Sequence, residues 1–238
     1  MISTRTTEQV VRYIYATNDL NSVKAHSLNR ARERGEFTDL TFTCNGYSMP
    51  VHRVIVCSQS PVFRAACTGE FKEASTRTYS LDSHSLPMVR RLVDFLYTGD
   101  YTEKYEEEVA GEDPISILSV HVAMFALADK YDIEELSALS GKKYCEYLTK
   151  NPDVSNFLLS IPEIYESTPT SSRGLRDHAL SFSREKLPEF LTGRASKELF
   201  DEVAADSPEF IRELLYSFIE EPLQTQCWNC GRSSKPIP

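Results

Sequence analysis

Leu40-Thr41-Phe42-Thr43-Cys44-Asn45-Gly46-Tyr47-Ser48-Met49-Pro50-Val51 reads as a strand, a two-residue turn and a returning strand. Leu40, Phe42 and Cys44 alternate with Thr41, Thr43 and Asn45, the period of a strand that buries one face. Asn45-Gly46 offers the two positive φ angles of a tight hairpin turn, and Tyr47 to Val51 is the return strand. Beyond it, Val54, Ile55 and Val56 extend the apolar run until Ser60-Pro61. Proline is favoured at the first position of a helix, where its missing N–H had no partner, so short helices are predicted on either side of Ser60.

From Leu86 the spacing changes. Val89, Leu92, Val93 and Leu96 share one face of a helix that Gly99 ends. A second helix is predicted from about Ile115 to Tyr131, with Leu118, Val122 and Phe125 on one stripe, and a third from Ile133 to Leu148. The expected fold class is α+β: a small, mainly antiparallel sheet from Thr38 to Val51 capped by a helical cluster.

Several separated motifs carry a resemblance. Phe37-Thr38-Asp39-Leu40 opens the first strand, His52-Arg53 follows the second, and Ser60-Pro61-Val62-Phe63, Phe71-Lys72-Glu73 and Phe95-Leu96-Tyr97-Thr98-Gly99 come after in order. In that order and spacing the chain resembles the BTB/POZ family, a protein-interaction fold. The segment from Leu28 to Gly35 looks like the helix that precedes the first strand in long-form BTB domains and crosses to a partner subunit. The resemblance therefore implies a homodimer, with Val23, Leu28, Ala31, Phe37 and Leu40 as interface candidates.

It also implies a second partner. In relatives that recruit cullin scaffolds of ubiquitin ligases, a hydrophobic-x-Glu motif lies in the loop after the second short helix, the place of Phe71-Lys72-Glu73. An exposed aromatic anchor can enter a partner pocket while a nearby carboxylate fixes register. The alternative is that Phe71 packs under the loop. Asp39 and Arg53 match positions that form a charged pair near the groove of transcription-repressor relatives, and His52 is expected as a core histidine bonded to backbone.

Four sections are expected: residues 1–26, an extension with a short amphipathic helix around Val10, Val11 and Ile14; 27–148, the BTB/POZ domain; 149–221, a mostly helical extension; and 222–238, a tail. Within the domain, residues 100–113 hold Glu103, Glu106, Glu107, Glu108 and Glu112 against Lys104, and are read as a solvated loop. That insertion resembles the fungal branch of the family. In the extension, Asn151-Pro152 and Ser207-Pro208 each set a capping side chain before a proline. Phe210, Ile211, Leu214, Leu215, Phe218 and Ile219 then form an amphipathic stripe, either internal packing or a recruitment surface.

The 238 residues carry 41% apolar side chains, enough for a packed core. A formal net charge of −9 repels phosphate backbones, and Arg30, Arg32 and Arg34 are read as a solvated helix face, so no nucleic-acid partner is expected. No run approaches the ~20 apolar residues of a membrane span, and residues 3–9 lack the apolar core of a signal peptide, which places the chain in the cytosol or nucleus. In that reducing compartment Cys44, Cys57, Cys67 and Cys145 are expected as small buried side chains without disulfides.

Cys227-Trp228-Asn229-Cys230 has the spacing of half a zinc knuckle, with Cys227 and Cys230 as candidate ligands that His178, Cys145 or a second chain would have to complete; the alternative is a solvent-accessible thiol pair in the tail. No other cofactor is expected. There is no Gly-rich phosphate loop, Gly-x-Ser-x-Gly elbow or His-Glu-x-x-His helix, so the sequence points to a binding module without catalytic residues. Two readings follow: a dimeric adaptor presenting a client protein to a cullin-type ubiquitin ligase, or a self-associating scaffold or transcription-linked protein that binds no cullin.

Overall fold

The computed structural model of the chain describes residues 27–104 and 115–221. Val23, the amphipathic helix expected before it, most of the acidic loop and the Cys227/Cys230 pair lie outside the described residues. The chain divides into two compact units, and the boundary between them runs through two helices. The first comprises the described residues up to 104 with 127–139, the second 115–126 with 140–221.

The first unit begins with helix α1 over residues 27–33. Strands β1 (Leu40–Cys44) and β2 (Tyr47–Val51) form the predicted hairpin, with Leu40 opposite Val51 and Cys44 opposite Tyr47. Asn45 and Gly46 adopt φ of 50° and 84°, as the turn requires. Helices α2 (Arg53–Gln59) and α3 (Pro61–Thr68) flank Ser60, whose hydroxyl caps α3 by accepting from the Phe63 N–H. Then come α4 (Lys72–Thr76), β3 (Thr78–Ser80) and α5 (Leu86–Thr98), the last ended by Gly99 in the left-handed conformation.

Strand β3 extends the sheet beyond the Thr38–Val51 segment in which the sequence places it. It pairs parallel to β1, giving the order β2-β1-β3. Phe42 and Tyr79 meet there at 6.0 Å, and fully buried Phe63 packs edge-on against Tyr79 at 5.0 Å and stacks on Tyr131 at 4.6 Å. These four rings tie sheet, α3 and the end of α6 (Ile117–Tyr131) into one core.

The acidic segment also departs from a uniformly solvated loop at its start. Tyr101 is buried, and the buried guanidinium of Arg91 donates to the carbonyls of Thr102 (2.9 Å) and Glu103 (3.1 Å). A buried cation needs its N–H groups satisfied, and these carbonyls do so while fixing the chain as it leaves α5.

The second unit is helical: the first part of α6, the latter part of α7 (Glu134–Lys150), then α8 (Val154–Ser167), α9 (Arg173–Thr192), α10 (Arg194–Asp206) and α11 (Pro208–Glu220). Its core gathers Leu118, Phe125, Tyr144, Phe157, Phe190 and Phe210. The start of α8 differs from the sequence expectation. Asp153, not Asn151, is the cap, accepting from the backbone N–H groups of Ser155 (2.9 Å) and Asn156 (3.4 Å), because a carboxylate directly before the first turn reaches its free donors. The stripe of α11 splits. Phe210 and Leu214 are buried with Ile211 and Phe218 against them, whereas Leu215 and Ile219 face outward beside Tyr216.

In the first unit, His84 closes the link between the hairpin tip and the end of α6. Its carbonyl accepts from Cys44 Sγ (3.3 Å) and Asn45 Nδ2 (3.2 Å), while its Nε2 lies 2.9 Å from the Tyr131 hydroxyl and 3.0 Å from Lys130 Nζ. An ammonium has no acceptor, so Nε2 carries the lone pair and the ring is neutral. Desolvation, followed by the Lys130 charge, holds the imidazole pKa below its ordinary value. The unfolded chain therefore takes up this proton at higher pH than the folded one. The stability that the neutral ring contributes is complete above the ordinary imidazole range, about pH 6.5, and declines as pH falls below it. Melting scans from pH 8 to 5 should show a shallower pH dependence for His84→Gln than for the unmodified protein. Parallel curves would show that His84 is not the linked group.

Candidate protein-interaction surfaces

Two exposed aromatic residues in the first unit stand on backbone that the local sequence fixes. The first is Phe37. Helix α1 closes with Gly35 at φ 69°, its N–H bonded to the Arg32 carbonyl and the Glu36 N–H to the Ala31 carbonyl, both at 2.9 Å. That pair of bonds is a Schellman ending, which calls for the glycine. Phe37 follows at φ 59°, a left-handed conformation that costs a residue with a Cβ about 1–2 kcal/mol. Its ring is 93% exposed.

The conformation persists because its neighbours are held. His52 Nε2 lies 2.9 Å from the Glu36 carbonyl, and the ring's Nδ1 lies 2.7 Å from the Tyr97 hydroxyl, which also accepts the His52 backbone N–H at 2.8 Å. The hydroxyl hydrogen therefore goes to Nδ1, and Nε2–H donates to Glu36, so every polar atom of this buried group is used. Arg32 lies over the Tyr97 ring at 5.4 Å and bonds Asn29 at 2.8 Å, which corrects its reading as a solvated residue. The planar cation packs on the aromatic face while its edge keeps a hydrogen-bond partner.

The dimer candidates separate on this geometry. Leu28 is 45% exposed and Ala31 half-buried on α1, beside Phe37. Leu40 is only 3% exposed, so its side chain belongs to the chain's own core, as expected of the inward-facing end of β1, and cannot reach a second copy.

The second surface is the turn from Gly69 to Thr76. Gly69 ends α3, and a Cβ there would come within 2.8 Å of the Ala65 carbonyl and 3.0 Å of the Phe71 ring. Glycine thus permits the chain to double back and set Phe71 at the head of α4, with its ring 60% exposed instead of packed under the loop. Two residues on, half-buried Glu73 uses its backbone carbonyl to accept from Arg77, itself at φ 53°. The Glu73 carboxylate makes no hydrogen bond or ion pair with another described residue. An aromatic ring and a carboxylate two positions apart are thus both available to a partner.

Asp39 and Arg53 do not form the charged pair that the resemblance implied. Asp39 Oδ1 accepts the Arg53 backbone N–H at 2.7 Å, and the Arg53 guanidinium donates to the Cys67 carbonyl at 2.7 Å. Each side chain serves a helix end: the carboxylate satisfies a free N–H of the first turn of α2, the cation a carbonyl at the close of α3. The His52-Arg53 motif is structural, anchoring the link before β1 and the α2–α3 pair.

No group of three or more His, Cys, Asp or Glu residues able to hold a metal occurs among the described residues, and none of their helices is long and apolar enough to cross a membrane. In the second unit, a groove of about 480 Å³ runs between α9 and α11, lined by Arg173, Asp177, Arg184, Glu213 and Tyr216 among others.

The model of the BTB/POZ domain family matches residues 28–148. Among curated proteins, mouse TD and POZ domain-containing protein 2 is 24% identical over 136 residues, 57% of this chain and 34% of that protein. Zebrafish Kelch-like ECH-associated protein 1A is 31% identical over 108 residues, 45% of this chain and 15% of that protein. Human Kelch-like protein 38 is 29% identical over 87 residues, 37% of this chain and 15% of its own length. The chain thus spans about a third or less of these relatives. Among solved structures, the BTB domain of zebrafish PATZ1 aligns over 60% of this chain and 96% of that chain, at 14% identity and a TM-score of 0.40.

Proposed function

We propose that this chain, which belongs to the BTB/POZ domain family, is a non-enzymatic, dimeric adaptor that presents a client protein to a cullin-type ubiquitin ligase in the cytosol or nucleus. The observation that carries the cullin reading is the outward Phe71 ring with the unengaged Glu73 carboxylate in the turn after α3, the motif position of cullin-recruiting relatives. A rigid ring on a fixed turn loses little conformational freedom on docking, and the carboxylate adds orientation. The exposed Leu215, Tyr216 and Ile219 on α11 supply apolar contact area of the kind a client could use.

Titration of the purified full chain against the N-terminal domains of cullins tests this reading, with submicromolar binding to one of them expected. Absence of binding to every cullin would leave the self-associating scaffold as the function. Zinc at Cys227 and Cys230 is a separate proposal. It predicts a stoichiometric ion in the purified protein that Cys227→Ser removes.

Self-association is proposed through α1 and Phe37, where strained backbone displays a bare aromatic ring. Light scattering at about 50 micromolar, above ordinary weak-interface dissociation constants, should return a dimer, and Leu28→Asp combined with Phe37→Asp should return a monomer. A monomer from the unmodified chain would remove this interface.

A further inference from the structure

Cys57 and Cys67 lie on adjacent helices, and three contacts bring Cys57 and the Cys67 turn of the next helix together. Cys57 Sγ on α2 sits 3.7 Å from the Phe63 carbonyl, the oxygen that α-helical geometry assigns to the Cys67 N–H one turn later on α3. Phe63 and Cys67 therefore share the face of α3 turned towards Cys57. The Arg64 side chain reaches back to the Cys57 carbonyl at 2.8 Å, and Arg53 near the start of α2 holds the Cys67 carbonyl at 2.7 Å, so the two helices are clamped at both ends of this contact. The Cys57 side chain is near enough to perturb the Cys67 thiol, and both thiols are free.

The two residues differ in access. Cys67 is buried, whereas Cys57 is partly exposed. Desolvation, then the neighbouring Cys57, pushes the Cys67 thiol up to about 11, so it stays protonated at neutral pH. An oxidant from solvent meets Cys57 first, with the second thiol on the adjacent helix.

We propose that Cys57 and Cys67 form a redox-active dithiol, a modification site for hydroperoxides that closes reversibly into a disulfide between α2 and α3. The Cys57 sulfur attacks the distal oxygen of the hydroperoxide: the S–O bond forms as the O–O bond breaks, alcohol or water leaves, and Cys57 becomes a sulfenic acid. The Cys67 sulfur then attacks the Cys57 sulfur. The S–S bond forms as S–O breaks, and the departing hydroxide takes the Cys67 proton as water. Two thiols lose two electrons and the peroxide gains them. The bridge would end two residues before Gly69, at the base of the turn that carries Phe71.

The sequence makes the test direct, since trypsin cuts after Arg53, Arg64 and Lys72 and places the two cysteines in separate peptides, 54–64 and 65–72. The folded full chain is treated with hydrogen peroxide, alkylated and digested without reductant. A linked pair of these peptides is expected, lost on dithiothreitol treatment. In Cys67→Ser, trapping with dimedone should label Cys57 instead. Peptides that stay unlinked while the separate Cys227/Cys230 peptide oxidises, or Cys57 joined to any other cysteine, would overturn the proposal.

Discussion

Replacing Arg176 by methionine is expected to lower the stability of the helical unit by about 3 kcal/mol or more, the cost of breaking a buried ion pair from one side. Arg176 is 1% exposed. Its guanidinium donates to the Thr168 hydroxyl (3.2 Å) and the Tyr165 carbonyl (3.3 Å), and pairs with Glu209 (3.2 Å) and Glu213 (3.4 Å). It also lies over the Tyr165 ring at 4.4 Å. One cation thus joins the end of α8 to α9 and the first turns of α11. Methionine would fill much of the volume yet leave the Thr168 and Tyr165 acceptors without their donor and Glu213 with only Arg173 (2.9 Å) and the Tyr165 hydroxyl (3.0 Å).

Urea unfolding followed by far-ultraviolet circular dichroism measures the loss, and the chain's two compact units call for a fit that allows two transitions. The transition of the helical unit should move to lower urea. Adding Glu213→Gln should recover part of the loss, because the stranded carboxylate is then gone. A shift of less than about 1 kcal/mol for Arg176→Met would show that the network only decorates a fold held by Phe157, Phe190 and Phe210.

The network also marks where sequence reading stops. Around Arg176 the sequence shows a polar, breaker-rich connection, and nothing local says that this arginine is buried, because its acceptors lie eight or more residues away. The Asn45-Gly46 hairpin and the helix ended by Gly99 were legible because their signals are local: positive φ angles and a 3.6-residue apolar period. Three-residue β3 is too short to show a period and exists through its parallel pairing with β1. The resemblance pairs Asp39 with Arg53 as charges, but which atoms each meets depends on two helix ends that only the fold supplies. The Phe71 turn was legible as a motif, and the exposure of its ring was not, since that follows from the close approach permitted at Gly69.

On the proposed cullin-adaptor reading, exchanging both Phe71 and Glu73 for alanine should weaken cullin binding by about 2 kcal/mol or more, roughly 30-fold in dissociation constant, with a nearly unchanged melting transition. The two effects separate because the ring is mostly solvent-exposed in the free chain and the carboxylate makes no bond there, so truncation removes little that holds the fold. Ordinary surface substitutions shift stability by less than about 0.5 kcal/mol. Phe71→Ala alone should account for most of the loss, since a desolvated aromatic anchor outweighs a carboxylate that retains water at an interface rim. The carboxylate should act on association, so Glu73→Ala alone should reduce the salt dependence of the on-rate. A marked fall in melting temperature would show that the ring supports the turn over Gly69, and full cullin binding by the folded double variant would place the contact elsewhere on the domain.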